Sequence, residues 1–338
     1  MRSVKRGLLT LAGLATLSLA FASTAAVATP LASATTTPTT THSCSQAVSP
    51  GMATCFAIRR TDSGVHHFLT GPNITPAGFG PSSLISAYKL PSGGSGQTVG
   101  IVDAMDDPNA ESDLATYRSN FGLPACTTAN GCFKKVNQTG GASPLPASDT
   151  GWAGEISLDV DMVSAICPNC HIVLVEATSP TIQNLGTSVN EAVALGAKYV
   201  SNSYGGGEGG DPANDASFYH HPGVAVTAST GDGGFGISYP ASSPFVTAVG
   251  GTSLSTASNS RGWSETAWNG AGSGCSSDEA QPSFQSGVNT GCSNRANADV
   301  SAVADPNTGV AVFQTFGATG WQVYGGTSVS SPIIASVY

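Results

Sequence analysis

The run Gly151-Trp152-Ala153-Gly154-Glu155-Ile156-Ser157-Leu158-Asp159-Val160-Asp161-Met162-Val163-Ser164-Ala165-Ile166, followed shortly by His171-Ile172-Val173-Leu174-Val175, decides how this chain folds. Leu158, Met162 and Ile166 recur four apart, which marks a helix with one buried side, and Asp149 or Thr150 can cap its start. The apolar run after it has strand character. The same alternation continues on both sides: a strand at Thr98-Val99-Gly100-Ile101-Val102 and a helix near Ser112–Phe121 upstream, then a helix near Ile182–Leu195 and strands at Tyr199–Ser203 and Val224–Ser229 downstream. Strands recurring between helices predict an α/β fold with a mostly parallel sheet and helices on both faces. Ligands of such sheets gather beyond the carboxyl ends of the strands, so Asp103, Tyr204-Gly205-Gly206 and Thr230-Gly231-Asp232 are expected to face one crevice.

The chain has 338 residues, 40% of them apolar, enough for a sizeable core, yet only 10% are charged. A basic start (Met1–Arg6), an apolar run (Gly7–Phe21) and the small residues Ala25-Ala26-Val27-Ala28 read as a signal peptide, residues 1–28, because the run is too short to span a membrane. The protein is therefore expected to be secreted and extracellular. Removing that leader takes away Arg2, Lys5 and Arg6 and no acid, leaving nine basic residues against 21 acidic ones, a balance near −12. Nucleic acid is an unsuitable partner for such a surface. With so few cations, protonating the carboxylates leaves the surface nearly neutral, which suits an acidic working environment.

Residues 29–42 form a Thr/Ala/Pro tract expected to act as a linker, and 43–75 a short arm stapled by one cysteine pair. The eight cysteines fall as Cys44/Cys55, Cys126/Cys132, Cys167/Cys170 and Cys275/Cys292, which in an exported chain favours local disulfides. Cys167-Pro168-Asn169-Cys170 also has the spacing of a redox motif, but it follows a helix where reactive thiols precede one. A zinc site would need two more soft ligands at matching spacing.

Three segments carry chemistry. Gly325-Gly326-Thr327-Ser328-Val329-Ser330-Ser331-Pro332 is a turn that opens a helix, where the helix dipole favours an alkoxide and an oxyanion; the plain alternative is a helix cap. Glu155 and Asp159 are one helical turn apart, so both carboxyl groups can face the crevice and share a proton; the alternative is a solvated acidic edge. Asp232, in Ser229-Thr230-Gly231-Asp232-Gly233-Gly234, sits on a Gly-rich turn after a strand, where an acid is often a turn former or metal ligand. Protonated, it can donate to an oxyanion.

In this order, Glu155/Asp159, Asp232 and Ser328 resemble the sedolisin or serine-carboxyl peptidase family, which has a subtilisin-like fold with Glu in place of the histidine base. The similarity runs from about Pro76 to Tyr338 and includes Val249-Gly250-Gly251-Thr252-Ser253 and Ala304–Val312. The resemblance implies Ser328 as nucleophile, Glu155 as general base and acid, Asp159 as its orienting partner and Asp232 as oxyanion acid. It also implies protein or peptide substrates, with Ser201–Gly206 pairing with the substrate chain as an added strand. Acid endopeptidase action is expected; tripeptide release and an inactive fragment serving as a binding module are the alternatives. An ordinary subtilisin fits less well, since no His-Gly-Thr follows Asp103, which reads as structural or cleft-lining. A monomer is expected, without a membrane partner after leader removal. The peptidase domain, 76–338, is expected to be truncated at its C-terminus, so that the family's calcium ligands would lie beyond Tyr338.

Overall fold

The computed structural model describes residues 38–46, 49–62 and 75–338; the expected leader and the first part of the Thr-rich tract lie outside the described residues. An N-terminal arm supplies β1 (Thr40–His42), β2 (Thr54–Cys55) and β3 (Ile58–Arg60). The α/β body follows with α1 (Pro81–Tyr88), β4 (Thr98–Ala104), α2 (Ala110–Asn120), β5 (Phe133–Asn137), α3 (Thr150–Ile166), β6 (His171–Ala177), α4 (Ile182–Ala194), β7 (Tyr199–Asn202) and β8 (Tyr204–Gly205). After the short α5 (Asp211–Asn214) come β9 (Ala225–Ser229), β10 (Thr247–Thr256), β11 (Trp263–Ala267), β12 (Gly274–Ala280), β13 (Asn294–Asn297) and β14 (Val300–Val303). A hairpin of β15 (Val310–Gln314) and β16 (Gly320–Gly325) then leads into α6 (Thr327–Val337).

The main sheet has the order β11-β10-β9-β7-β4-β6-β5, with β14 also pairing β10, and every pairing is parallel except that of β11. Strand alternation assigns its two faces. Val99, Ile101, Ile172 and Leu174 pack on Ile156, Val160 and Val163 of α3 and on Ala335 of α6. Val102, Val173 and Val175 pack on Leu185, Val189 and Ala192 of α4. Helices thus cover both faces, as the alternation in sequence implies. Because β4 neighbours both β6 and β7, the chain leaves it in two directions, and a crevice opens beyond its carboxyl end.

The arm departs from expectation. The tract that should stay a linker to residue 42 instead gives β1, whose Thr40, Thr41 and His42 pair with Arg60, Arg59 and Ile58 of β3. Two Thr side chains favour a strand once a partner is offered, and β3 offers it by joining β16. Sequence periodicity also left β5, β10 and the β15–β16 hairpin unassigned, since their signals are short and depend on neighbouring strands. All four cysteine pairs form the local disulfides, and Cys167 follows the last residue of α3.

Candidate active site

The position of the acids follows from how α3 begins. Asp149 accepts from the backbone N–H groups of Gly151 and Trp152, both at 2.9 Å, and fixes the first turn. Glu155 and Asp159 then stand one turn apart, both 0% exposed, so they do not form a solvated edge. Asp161, also buried, turns to the hairpin and accepts from Phe313 N at 2.9 Å.

Ser328 is the second residue of α6, which β16 delivers through Gly325-Gly326. Gly326 has φ +96°, a left-handed value that disfavours side chains. Ser328 Oγ donates to Glu155 Oε2 at 2.8 Å and lies 3.2 Å from the Ser203 carbonyl oxygen. Ser203, just past β7, donates through its hydroxyl to Asp159 Oδ1 at 2.8 Å. Asp232, on the turn after β9, accepts at Oδ1 from the N–H and hydroxyl of Thr327 at 2.7 and 2.9 Å. Ser229 and Gly231 also bind Thr327, so the Asp232 turn and the start of α6 form one unit. Asp232 Oδ2 is buried with no hydrogen-bond partner among the described residues.

All four sequence-derived residues therefore converge, and burial governs their protonation. Burial pushes Asp232 up to about 7, although the Thr327 donors pull the other way. Glu155 is raised well above its ordinary value by burial and then by the Asp103 charge, against the hydrogen bonds from Ser328 and Ala57. Asp159 is raised likewise by burial, Asp103 and Glu155. Among the described residues no salt bridge reaches any of the four.

The sequence reading missed three participants. Asp103, read as structural or cleft-lining, is fully buried as the structural reading has it; among the described residues neither oxygen has a partner, and burial raises it to about 8. Ser203 carried a signal in the run Ser201–Gly206 but no assigned role of its own. The third is the arm. β2 lies antiparallel to β8, pairing Thr54 with Gly205 and Cys55 with Tyr204, on the segment expected to receive a substrate strand. Ala57 N donates at 2.8 Å to the same Glu155 oxygen that accepts from Ser328.

Of the described histidines, none is hydrogen-bonded to Ser328. The described residues bring together no three His, Cys, Asp or Glu side chains able to hold a metal ion.

Serine bonded to a buried glutamate, backed by a second acid on a parallel α/β sheet, defines a site of the serine-carboxyl type on a subtilisin-like fold. No family model matches the chain. It is 30% identical to kumamolisin of Bacillus sp. (strain MN-32), over 83% of this chain and 55% of that protein. It is 26% identical to the tripeptidyl-peptidase sed4 of Aspergillus fumigatus, over 61% of this chain and 40% of that protein. The solved structure of Pseudomonas sedolisin, a serine-carboxyl proteinase complexed with two molecules of pseudo-iodotyrostatin, matches with a TM-score of 0.64 at 28% identity, covering 78% of this chain and 80% of that one. The chain belongs to the sedolisin family. It spans about half the length of the curated relatives kumamolisin and sedolisin.

Proposed function

We propose that the chain is an exported endopeptidase that hydrolyses peptide bonds at acidic pH through an acyl-enzyme on Ser328. The observation that carries this reading is the 2.8 Å hydrogen bond from the Ser328 hydroxyl to the fully buried Glu155. Ser328 Oγ attacks the substrate carbonyl while Glu155 Oε2 takes its proton and passes it to the departing amine. Water then enters by the same route and cleaves the ester. Negative charge on the carbonyl oxygen meets the start of α6 and Asp232 Oδ2, which carries a proton below about pH 7. Asp159, held by Ser203, keeps Glu155 from ionising independently, so these acids titrate as a unit with Asp103. Loss of activity as pH rises through about 7 follows from this role, because the oxyanion acid works only while protonated.

Cleavage within a chain, rather than tripeptide release, fits the path of the arm. Met52 to Cys55 precede Phe56 and Ile58 follows Ala57 along the crevice, so polypeptide can run through it in both directions. Export fits the leader-like residues 1–28 and four disulfides. Among the described residues no helix is long and apolar enough to cross a membrane. A casein or long-peptide digest at pH 3–5 tests the reading through product masses. Full activity in Ser328→Ala, or a rate that peaks only at alkaline pH, removes it.

A further inference from the structure

We propose that Glu279 and Asp215 form an acid-operated clasp across the crevice: their carboxyl groups share one proton, and its loss frees β12 and with it the turn that carries Asp232. This rests on the function proposed above, in which Asp232 serves the reaction, and names a control on that same site.

The clasp joins two walls. One is the segment after β8, where the backbones of Gly206 and Tyr239 exchange hydrogen bonds, both at 2.9 Å, and the Tyr239 hydroxyl donates to Asp215 Oδ1 at 3.0 Å. The other is the Asp232 turn, onto which residues 270–273 lace just before β12 begins. Gly234 N donates to the Gly270 carbonyl and Gly236 N to that of Ser273, both at 2.8 Å, while Gly272 N donates to that of Gly231 at 2.7 Å. β12 and β13 form a two-stranded sheet of their own, stapled by Cys275–Cys292, so the main sheet does not hold them. A shift of β12 against residues 208–215 therefore reaches the Asp232 turn directly.

Acids seat β12 on that segment. Glu208 accepts from the Ser276 hydroxyl and, at 2.8 Å each, from the N–H and hydroxyl of Ser277, so this tether works ionised. Glu279 differs. Only 4% exposed, it meets Asp215 carboxyl to carboxyl with Asp211 and Glu208 nearby, and its Oε1 has no partner among the described residues. Asp211, which Asp278 also faces, accepts the Gly209 N–H at 2.9 Å on one oxygen and leaves the other buried and unpartnered.

No salt bridge among the described residues reaches any of these acids. On the elements packed beside them, Arg295 of β13 is spent on Asp299, and the charged residue of α4, Glu191, lies at Gly140. Tyr204, Tyr219 and Tyr239 are pushed further up by burial and stay neutral. Two touching carboxyl groups without a cation do not both ionise, so a proton stands between them. Burial, then the Asp215 and Asp211 charges, push Glu279 up to about 8, whereas donors from Ser243, Tyr239 and Glu279 oppose the rise that burial gives Asp215. Glu279 is thus the donor and Asp215 the acceptor. Freed, a Glu titrates near about 4.3, so opening releases one proton and becomes about tenfold easier per pH unit between that value and about 8.

Hydrogen exchange of the purified chain between pH 6 and 8, corrected for intrinsic rates, reads the opening at the amides of residues 277 and 279. Their protection is expected to fall about 100-fold over those two units, a range above the titration of Asp211 at about 6. Glu279→Gln supplies an N–H donor to Asp215 at any pH and should hold protection within about threefold. Asp215→Asn, donating to an ionised Glu279, should do the same, so a folding failure in one variant leaves the other decisive. Flat protection in the parent, or the full 100-fold fall in a folded variant, overturns the clasp; peptide cleavage that needs Ser328 would then leave the proposed function standing. The expected exchange in a chain that cleaves no peptide at any pH overturns that function and leaves the clasp.

Discussion

Two groups of buried acids lie at the carboxyl ends of neighbouring strands, since Asp103 of β4 and Glu176 of β6 are register partners. They are treated in opposite ways. Beside β6, Lys135 Nζ reaches Asp106 Oδ1 at 2.6 Å and Glu176 Oε1 at 3.6 Å, and also donates to the Asp107 carbonyl at 2.7 Å. Ser148 donates to the other Asp106 oxygen at 2.8 Å. Burial alone would raise Asp106, yet these donors hold it below the usual carboxylate range. Glu176, farther from the ammonium, is pushed up to about 9 by burial in spite of Lys135. Beside β4, among the described residues, Asp103, Glu155 and Asp159 have no salt-bridge partner, and Asp103 has no donor either. Burial is common to both groups, and Glu176 Oε2 on the Lys135 side also lacks a partner among the described residues; what sets the Ser328 side apart is that no cation stands beside its acids. A carboxylate already saturated by Lys135 has little capacity left to take a proton from a serine.

The largest effect should separate the two groups by activity. Glu155→Gln removes the proton acceptor at nearly constant shape and should lower kcat by about 10⁴-fold or more, as loss of a triad-type member does, whereas Lys135→Met should leave it within about threefold. A Glu155→Gln rate within tenfold of the parent would erase the distinction. Stability should show the reverse. Lys135→Met strands the ionised Asp106 without its cation, Glu176 being already protonated at pH 7, and should cost about 3 kcal/mol in urea unfolding at pH 7 and less at pH 3, where burial lets the unpaired Asp106 take a proton. Equal losses at the two pH values would contradict the pairing.

The pH dependence of stability follows from the raised acids. Asp103, at about 8, and Asp232, at about 7, bind protons more tightly folded than unfolded, where Asp titrates near about 4. Their contribution is complete below that unfolded value and is lost as pH rises through the folded ones. Asp106 has the opposite sign, its contribution being lost as pH falls. The raised groups outnumber it, so Tm should fall between pH 4 and 8, and Asp103→Asn should flatten that fall; a Tm maximum near pH 8 would refute this. The smallest expected change is Ser203→Ala, about 1 kcal/mol for one buried hydrogen bond. Because that bond lowers Asp159, its loss should shift the acid limb of the pH–rate profile upward, a movement that a purely structural role would not produce.

Much of the site was legible because its spacing is local. Glu155 and Asp159 share a helix, so their separation and common direction follow from 3.6 residues per turn. Asp232 stands on a glycine-marked turn after β9, an end that the parallel sheet sends to the crevice, whereas Ser328 follows β16 of a separate antiparallel sheet and was marked only by its own Gly-Thr-Ser turn. For Asp103 the sequence left structural and cleft-lining roles open, since strand alternation tells which face a residue takes and not whether the site is sealed.

By itself the sequence determined the alternation of strand and helix, the close spacing of the cysteine pairs and the acid pair Glu155/Asp159 on one helix face, because each depends on periodicity or on short separations along the chain. Only the tertiary structure decided that the arm of Thr40–Arg60 enters that crevice and lays Phe56–Ala57 on Glu155, and that Lys135 spares Asp103. Those choices depend on pairings between residues as far apart as Ala57 and Glu155, or Ile58 and Gly325, and such pairings form only after the whole sheet has fixed which backbone edges and which oxygens remain unpaired.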